Sequence, residues 1–231
     1  MKKTGYTLAT LACLACSLNG TAQTVSGQVA GYDYVDLGLS VKWATYNVGA
    51  TKPTETGNFF AWGETEPKEK YSWENYKWCK GRVNTLTKYC LSSSAGTRDN
   101  KLVLEPEDDA AHVILGGTWR MPAWDECARL VSRCTWTWTK IGGVNGCKVT
   151  ASNGNSIFLP AAGYRSGSVP NASAGSVGHY WTTRLQLPEP SGVQPLTDSP
   201  VQLYFSSGGQ DYGYSSSYTR IHGLTIRPVT E

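Results

Sequence analysis

The sequence has little charge, few histidines and no long apolar segment. Charged residues make up 17% of its 231 residues, whereas about 25% is usual for soluble domains. The formal net charge is only +3, and no basic stripe is present that could neutralise the phosphates of a nucleic acid. We therefore expect no nucleic-acid partner. Because no run reaches the roughly 18 apolar residues that cross a bilayer, we also expect no transmembrane segment.

The first 22 residues have the three parts of a secretory signal peptide. Lys2 and Lys3 form a positive start, residues 6–18 are apolar, and small residues precede a cleavage site after Ala22. We therefore predict an exported protein that is secreted, periplasmic or held at the outer cell surface. A lipid anchor on a leader cysteine is a weaker alternative, since neither leader cysteine has an aliphatic residue three positions upstream.

Five cysteines follow the leader, and an exported chain permits disulfides between them. The number is odd, so at least one thiol is expected to stay free or to pair outside the chain. Cys127 and Cys134 stand seven residues apart on a predicted helix, and the resulting rise of about 10 Å exceeds the separation that a disulfide allows. Cys79 and Cys90 are the preferred pair, because they close a loop that contains glycine and asparagine.

The histidines do not form a metal-binding motif. His112, His179 and His222 are scattered, and no two cysteines beyond the leader have the two-residue spacing of a zinc site. A phosphate-cradling glycine loop is missing as well. The sequence therefore predicts neither a metal centre nor a cofactor.

One cluster of carboxylates could suggest calcium, since hard cations take clustered oxygen ligands. It consists of Glu105, Glu107, Asp108 and Asp109. The spacing of a calcium loop and its turn glycine are missing, so favourable electrostatics at the start of a helix explain the cluster better.

Alternation of apolar and polar residues predicts several strands. Residues 35–43 alternate with a period of two, which favours a strand or hairpin with one wet face, and residues 58–62 predict a short strand. Asn153-Gly154-Asn155 predicts a hairpin turn, because Asn-Gly accepts the positive φ that a tight turn needs. The remaining predicted strands are 148–152, 156–159, 179–183, 201–205 and 224–229.

Two helices are predicted in the middle of the chain. Pro106 with the acidic residues after it opens a short helix that ends at Gly116. Pro122 opens a second helix, whose apolar residues recur at three- and four-residue spacing. Together these elements predict an α+β fold that is mostly antiparallel, with residues 23–231 forming one domain whose core spans about 32–229. Residues 187–200 are expected to form a long surface loop.

The nine tryptophans divide into two predicted groups. Those inside strand patterns are expected to be buried, namely Trp43, Trp62, Trp119 and Trp181. Those that could instead form exposed platforms for stacking sugars are Trp73, Trp78, Trp136 and Trp138.

Residues 204–218 have an unusual composition, with four tyrosines, five serines and three glycines. Tyrosine offers large, rigid contact area, and serine and glycine offer adaptable hydrogen bonding, so the segment resembles a paratope. A solvated loop between two strands is an equally good interpretation. Residues 165–178 have a similar composition and could lie beside it. The predicted ligand-binding residues are His179, Gln210, Asp211, Tyr212, Tyr214 and Tyr218.

Seven motifs occur together over nearly all of residues 32–229. They are YVDLGL at 34–39, VKWAT at 41–45, FAWGET at 60–65, LEPEDDAA at 104–111, GTWRMP at 117–122, LPAAGYR at 159–165 and IRPV at 226–229. As a set they resemble the Fibrobacter succinogenes major paralogous domain family. The resemblance implies a fold similar to C-type lectins and formylglycine-generating (sulfatase-modifying) enzymes, with two helices, small twisted antiparallel sheets and long loops. It also implies an exported bacterial protein.

The resemblance bears on chemistry too. Formylglycine-generating enzymes work through cysteines in the C-terminal part of this fold, and here no cysteine follows Cys147. Sugar-binding C-type lectins pair a Glu-Pro-Asn or Gln-Pro-Asp motif with Trp-Asn-Asp, whereas this chain has only Gln-Pro-Leu at 194–196. Arg120 and Arg227 are expected to be buried arginines that form ion pairs or bond to the backbone.

These observations favour an exported, non-enzymatic binding module that presents its Tyr/Ser/Gly-rich C-terminal loops to a protein or glycan ligand. One alternative is a ligand-binding protein diversified by a retroelement, because residues 206–218 have the composition that adenine-directed mutation of asparagine codons produces. Others are a degenerate enzyme of the formylglycine-generating type, and a structural subunit with an unpaired sheet edge that accepts a strand.

Overall fold

A computed structural model describes residues 24–186, 199–208 and 219–231. The predicted leader and most of the predicted 187–200 loop lie outside these ranges. The described strands are β1 (Gly27–Val29), β2 (Tyr32–Val35), β3 (Lys42–Ala44), β4 (Thr135–Ile141), β5 (Val144–Thr150), β6 (Ser156–Pro160), β7 (Tyr164–Ser166), β8 (Val169–Ala172), β9 (Val177–Leu185), β10 (Pro200–Ser206) and β11 (Val229–Thr230). The described helices are α1 (Ala110–Leu115) and α2 (Trp124–Arg133), with 3₁₀ turns at Trp73–Asn75 and Pro106–Asp108.

The strands form four small antiparallel sheets. One has the order β1-β2-β3-β11, a second has the order β4-β5-β6, and the other two are the pairs β7-β8 and β9-β10. The predicted α+β class, with mostly antiparallel strands and two helices, is therefore confirmed. Within the described ranges no helix has both the length and the apolar character to cross a membrane.

The alternating segment 35–43 folds as predicted into a hairpin with one buried face. Val35, Leu37 and Trp43 are buried, and the chain turns between β2 and β3. Gly38 allows the turn because its φ is +67°, and its N–H donates to the Asp36 carboxylate at 2.7 Å. The Asn-Gly hairpin between β5 and β6 is also confirmed.

Two predicted strands need correction. Residues 58–62 form an isolated bridge between Phe60 and Leu224 rather than a regular strand, because Gly57 and Gly63 have φ values of +70° and +77° and bend the chain at both ends. In the segment 224–229, Pro228 has no N–H for a ladder, and regular pairing begins only at Val229.

The sequence reading missed β4. This strand pairs with β5 through a turn at Gly142 and Gly143, whose φ values are +55° and +87°. Trp136 and Trp138 lie on β4 and pack against Phe205, with ring centroids 5.7 and 6.4 Å away. These two tryptophans are therefore half-buried members of the core rather than open platforms.

The helices begin where their polar residues satisfy free N–H groups. Asp109 caps α1, where its Oδ1 accepts from the N–H groups of Ala111 and His112, and its Oδ2 accepts from Met121 at 2.8 Å. The predicted start at Pro106 is a separate 3₁₀ turn before α1. In the first turn of α2, Glu126 accepts from the Ala123 N–H at 2.7 Å.

The four tryptophans and Arg227 are buried as predicted, whereas Arg120 is only partly buried, with a side chain that is 31% exposed. Trp43, Trp62, Trp119 and Trp181 are each 0% exposed, which confirms that prediction. Arg120 forms a two-bond ion pair with Glu126, at 2.8 and 2.7 Å. Arg227 is also 0% exposed and bonds to four neutral oxygens, on Asn47, Ala44, Thr45 and Phe158. Both arginines are therefore structural, as expected.

The expected disulfide is not formed. Neither Cys79 nor Cys90 forms a disulfide within the described ranges. The Cys79 thiol donates to the Trp73 carbonyl at 3.1 Å, and the Cys90 thiol donates to the Ser92 carbonyl at 3.1 Å. Each thiol donates to a carbonyl close to it in the sequence, and the two sulfurs are not bonded to each other.

Candidate functional site

Most of the predicted ligand-binding residues lie in one segment outside the described ranges. These are Gln210, Asp211, Tyr212, Tyr214 and Tyr218. The chain on both sides of the segment is described, as is the sixth predicted residue, His179. The structure therefore shows the parts of the fold that precede and follow residues 209–218, and we call these parts the frame.

The frame holds both ends of this segment. On the first side, Ser206 pairs with Val177 across β9 and β10, and the Ser207 N–H donates to the Ser176 carbonyl at 3.3 Å. On the second side, the Arg220 carbonyl accepts from the Trp62 N–H at 2.8 Å. The guanidinium of Arg220, which is 2% exposed, donates to the Tyr89 carbonyl at 3.0 Å. Both attachment points therefore belong to the packed interior.

Four aromatic side chains meet between these attachment points. We call Tyr164, His179, Tyr204 and His222 the aromatic–histidine cluster. The His179 ring lies 4.9 Å from Tyr204 and 5.8 Å from Tyr164, and the Tyr164 ring lies 6.1 Å from His222. Strands β7, β9 and β10 supply the first three, and the stretch that follows residue 218 supplies His222. The cluster thus links strands β7, β9 and β10 to the described stretch that begins at Thr219.

His179 lies below the surface of this cluster. It is 2% exposed, and its Nδ1 lies 3.1 Å from Oε1 of the fully buried Gln202. Burial lowers the pKa of His179 to about 4, so the imidazole is neutral near pH 7 and Nδ1–H donates to Gln202. The prediction that His179 contacts ligand through its own ring does not fit this burial; instead it supports the rings of Tyr164 and Tyr204.

His222 holds the second end of the segment. Its Nδ1 lies 3.1 Å from the Thr219 carbonyl and 3.2 Å from the Thr219 hydroxyl. Burial lowers its pKa as well, so both histidines of the cluster are uncharged near neutral pH.

Residues 165–178 flank both ends of the segment. A bridge joins Gly163 to Gly178, and another joins Arg165 to Gly223. A Cβ on Gly178 would lie 2.2 Å from the Phe205 ring, and one on Gly223 would lie 2.6 Å from Tyr71. These close approaches require glycine, so the frame around the segment is tightly fitted.

A cleft that was not predicted from the sequence borders Arg165, the residue that follows Tyr164 on β7. We call it the arginine cleft; its volume is about 390 Å³. It is lined by Gly57, Asn58, Phe59, Pro67, Lys68, Glu69, Arg165 and Asn171. The only available signal was Arg165 itself, at the end of the LPAAGYR motif, and nothing local distinguishes it from the other arginines.

The carboxylate cluster proves to be structural. Asp108 is buried and accepts from the Tyr89 hydroxyl at 2.7 Å and from Lys88 at 2.6 Å. Hydrogen bonds from Lys101 and Lys88 lower the pKa of Glu105 to about 2. Within the described ranges no group of three potential metal ligands occurs. Of the cluster, Asp109 acts at the start of α1 as interpreted, whereas Asp108 and Glu105 are held by lysine ion pairs instead.

The thiols are poorly suited to nucleophilic chemistry. Burial raises the pKa of Cys127, Cys134 and Cys147, in the last case to about 11. A reactive cysteine needs a lowered pKa, because the thiolate is the nucleophile. These three residues are therefore packing residues.

Comparison with known proteins gives no relative. No family model, no curated protein and no solved structure matches the chain.

Proposed function

We propose that the chain is an exported, non-enzymatic binding module that recognises a protein or glycan through residues 209–218. We further propose that it belongs to the Fibrobacter succinogenes major paralogous domain family and has the related C-type-lectin-like fold. The two helices and small antiparallel sheets agree with that fold, and the seven motifs described above are the basis for the family.

The observation that carries the proposal is the attachment of a Tyr/Ser/Gly-rich segment to the buried frame at both ends. Paratopes combine adaptable loops with a rigid scaffold, because a fixed base reduces the entropy lost on binding. Here β9 and β10 hold one end, and Arg220 holds the other. Tyr164 and Tyr204 are partly exposed beside these ends and offer aromatic contact area of their own.

The alternative of a degenerate formylglycine-generating enzyme has less support. That chemistry requires reactive thiols, and burial raises the pKa of three of the five cysteines in the described ranges. Cys79 and Cys90 instead donate to backbone carbonyls.

The test is a binding screen on glycan and host-protein arrays, followed by substitution of the segment. We expect that Tyr212→Ala, Tyr214→Ala and Tyr218→Ala combined abolishes binding of any ligand found, whereas the matching triple Phe variant retains part of it, because the rings remain. Thr135→Ala with Thr137→Ala is the control, since both threonines are exposed on β4. Unchanged binding by the triple Ala variant, or turnover of a small molecule by the purified protein, would contradict the proposal.

A further inference from the structure

We infer that the arginine cleft binds a carboxylated sugar, that is, a saccharide carrying one carboxylate on a hydroxylated ring. This inference rests on the proposed binding function but concerns a different surface from residues 209–218. It adds a ligand class to that function, and its test can fail separately.

Arg165 is the group in the cleft that has capacity for an anion. Its guanidinium is partly buried and lies against two aromatic rings, 5.8 Å from the centre of Phe59 and 5.9 Å from the centre of Tyr71. One of its N–H groups donates to the Lys68 carbonyl at a long 3.4 Å, and the side chain also forms a hydrogen bond with Tyr71. Within the part of the chain that the structure describes, no carboxylate pairs with Arg165. A guanidinium has five N–H donors in a planar fork that fits a carboxylate with two bonds.

The other charges of the cleft favour a ligand with a single negative charge. The Lys68 ammonium is already neutralised by Glu64, at 2.8 Å. Glu69 is exposed at the rim and forms no ion pair with the described residues. With one uncompensated cation and a nearby carboxylate, the cleft suits a monoanion better than a phosphate dianion or a polyanion, because each extra negative charge would face Glu69.

The remaining lining favours a hydroxylated ligand over an apolar peptide. Phe59 is only 7% exposed, so it supports Arg165 and offers little surface to a hydrophobic side chain. Asn58 and Asn171 line the cleft, and an asparagine side chain offers donors and an acceptor that suit sugar hydroxyls. The volume of about 390 Å³ lies within the range of small-ligand sites.

The experiment is a titration of the full chain, followed by NMR, with methyl glucuronide and N-acetylneuraminic acid as acidic probes. Methyl glucoside is the neutral match, and inorganic phosphate is the dianionic one. We expect at least one acidic sugar to bind and both comparison compounds to bind at least tenfold more weakly. The two acidic probes distinguish a uronic acid from a sialic-type acid. Equal binding of the acidic and neutral sugars, tighter binding of phosphate, or no binding of either acid would overturn the inference.

Substitutions then locate the site. Arg165→Gln is expected to weaken binding of the acidic sugar roughly 10- to 100-fold, because it removes a charged hydrogen-bond pair. Arg129→Gln is the matched control, since Arg129 lies on α2 and pairs with Asp125 at 3.0 Å, outside the cleft. Unchanged binding by a folded Arg165→Gln variant would overturn the assignment.

Substitution of Glu69, at the rim of the cleft, tests the inference if Arg165→Gln fails to fold. Glu69→Gln replaces an exposed residue and removes the carboxylate that would repel the ligand, so it should tighten binding roughly two- to fivefold. No change in Glu69→Gln would contradict the inference. The triple Tyr→Ala variant should bind the acidic sugar as the parent does. Loss of sugar binding in that variant would move the site to residues 209–218, whereas retained binding without any tyrosine-dependent ligand would count against the proposed function alone.

Discussion

Arg227 and Arg165 are both in contact with aromatic or polar groups of the fold, yet their surroundings differ. Arg227 is 0% exposed and donates four hydrogen bonds of 2.8–3.1 Å to neutral oxygens. The Arg165 side chain donates to the Lys68 carbonyl at a long 3.4 Å, forms a hydrogen bond with Tyr71, and borders a cleft. The first guanidinium is satisfied by the protein and cross-links it, whereas the second keeps donors that solvent or a ligand can use. The degree of hydrogen-bond satisfaction therefore separates a structural arginine from a binding one.

The acceptors around Arg227 show what its hydrogen bonds connect. They lie in two stretches of chain, residues 44–47 and Phe158, so the bonds tie distant segments together. Among the described residues two buried polar atoms lack a hydrogen-bond partner, Trp43 Nε1 beside Ala44 and Gln202 Nε2 on β10. Incomplete satisfaction therefore occurs in both parts of the fold.

The largest effect on stability is expected from substituting Arg227, whose side chain donates four buried hydrogen bonds. Arg227→Met should lower the free energy of unfolding by about 3–5 kcal/mol, because it leaves several buried oxygens without donors. The measurement is urea denaturation followed by tryptophan fluorescence. Arg227→Lys is the informative companion, since it keeps the charge but cannot reach all four acceptors. A loss below about 1 kcal/mol in both variants would show that the cross-link contributes little to stability.

An intermediate effect is expected from the aromatic–histidine cluster. The pKa of His179 is lowered to about 4 in the folded state, whereas an unfolded histidine titrates near about 6.5. Between these values the unfolded chain binds more protons, so stability falls as the pH falls. This contribution is fully present above the unfolded pKa, and we expect about 2 kcal/mol of it to be lost between pH 7.5 and 5.

The check is urea denaturation of the parent and of His179→Phe across that pH range. The variant should show a weaker pH dependence, although some will remain because burial also lowers the pKa of His222. Restricting the range to pH 5 and above keeps Glu105, with its pKa of about 2, from contributing. Identical slopes for the two proteins would show that His179 is not held neutral by burial.

The smallest effect on stability is expected at the cleft. Arg165→Gln should change the free energy of unfolding by less than about 1 kcal/mol, because the side chain is partly exposed and its hydrogen bonds, to the Lys68 carbonyl and to Tyr71, are few. Its effect should instead appear in ligand affinity. If Arg165→Gln destabilised the fold as strongly as Arg227→Met, the distinction between the two arginines would be lost.

Local patterns in the sequence predicted the parts of the fold that depend on local chemistry. The Asn153-Gly154 turn needs only two residues, and the buried tryptophans follow from strand alternation and their size. Strand β4 could also have been found, since Thr135–Ile141 alternates threonine with aromatic or charged residues before a Gly-Gly turn. Its exposed threonines gave it too little apolar character for the alternation to be recognised.

The parts that sequence could not predict depend on contacts between distant residues. Arg165 meets Phe59 and Lys68 across about a hundred residues of chain, and nothing in the sequence shows that no carboxylate accompanies them. The wrong disulfide has the same origin, because loop length says nothing about where each thiol points. His179 was found as a residue of interest, but its burial depends on Tyr204 and Gln202 in β10.

The absence of disulfides among the described cysteines bears on how the protein can be produced. The five cysteines in the described ranges form no covalent bridge, so the packed interior does not depend on oxidation. The protein can be produced in the reducing cytoplasm of an expression host, without an isomerase, and should melt at the same temperature with or without dithiothreitol.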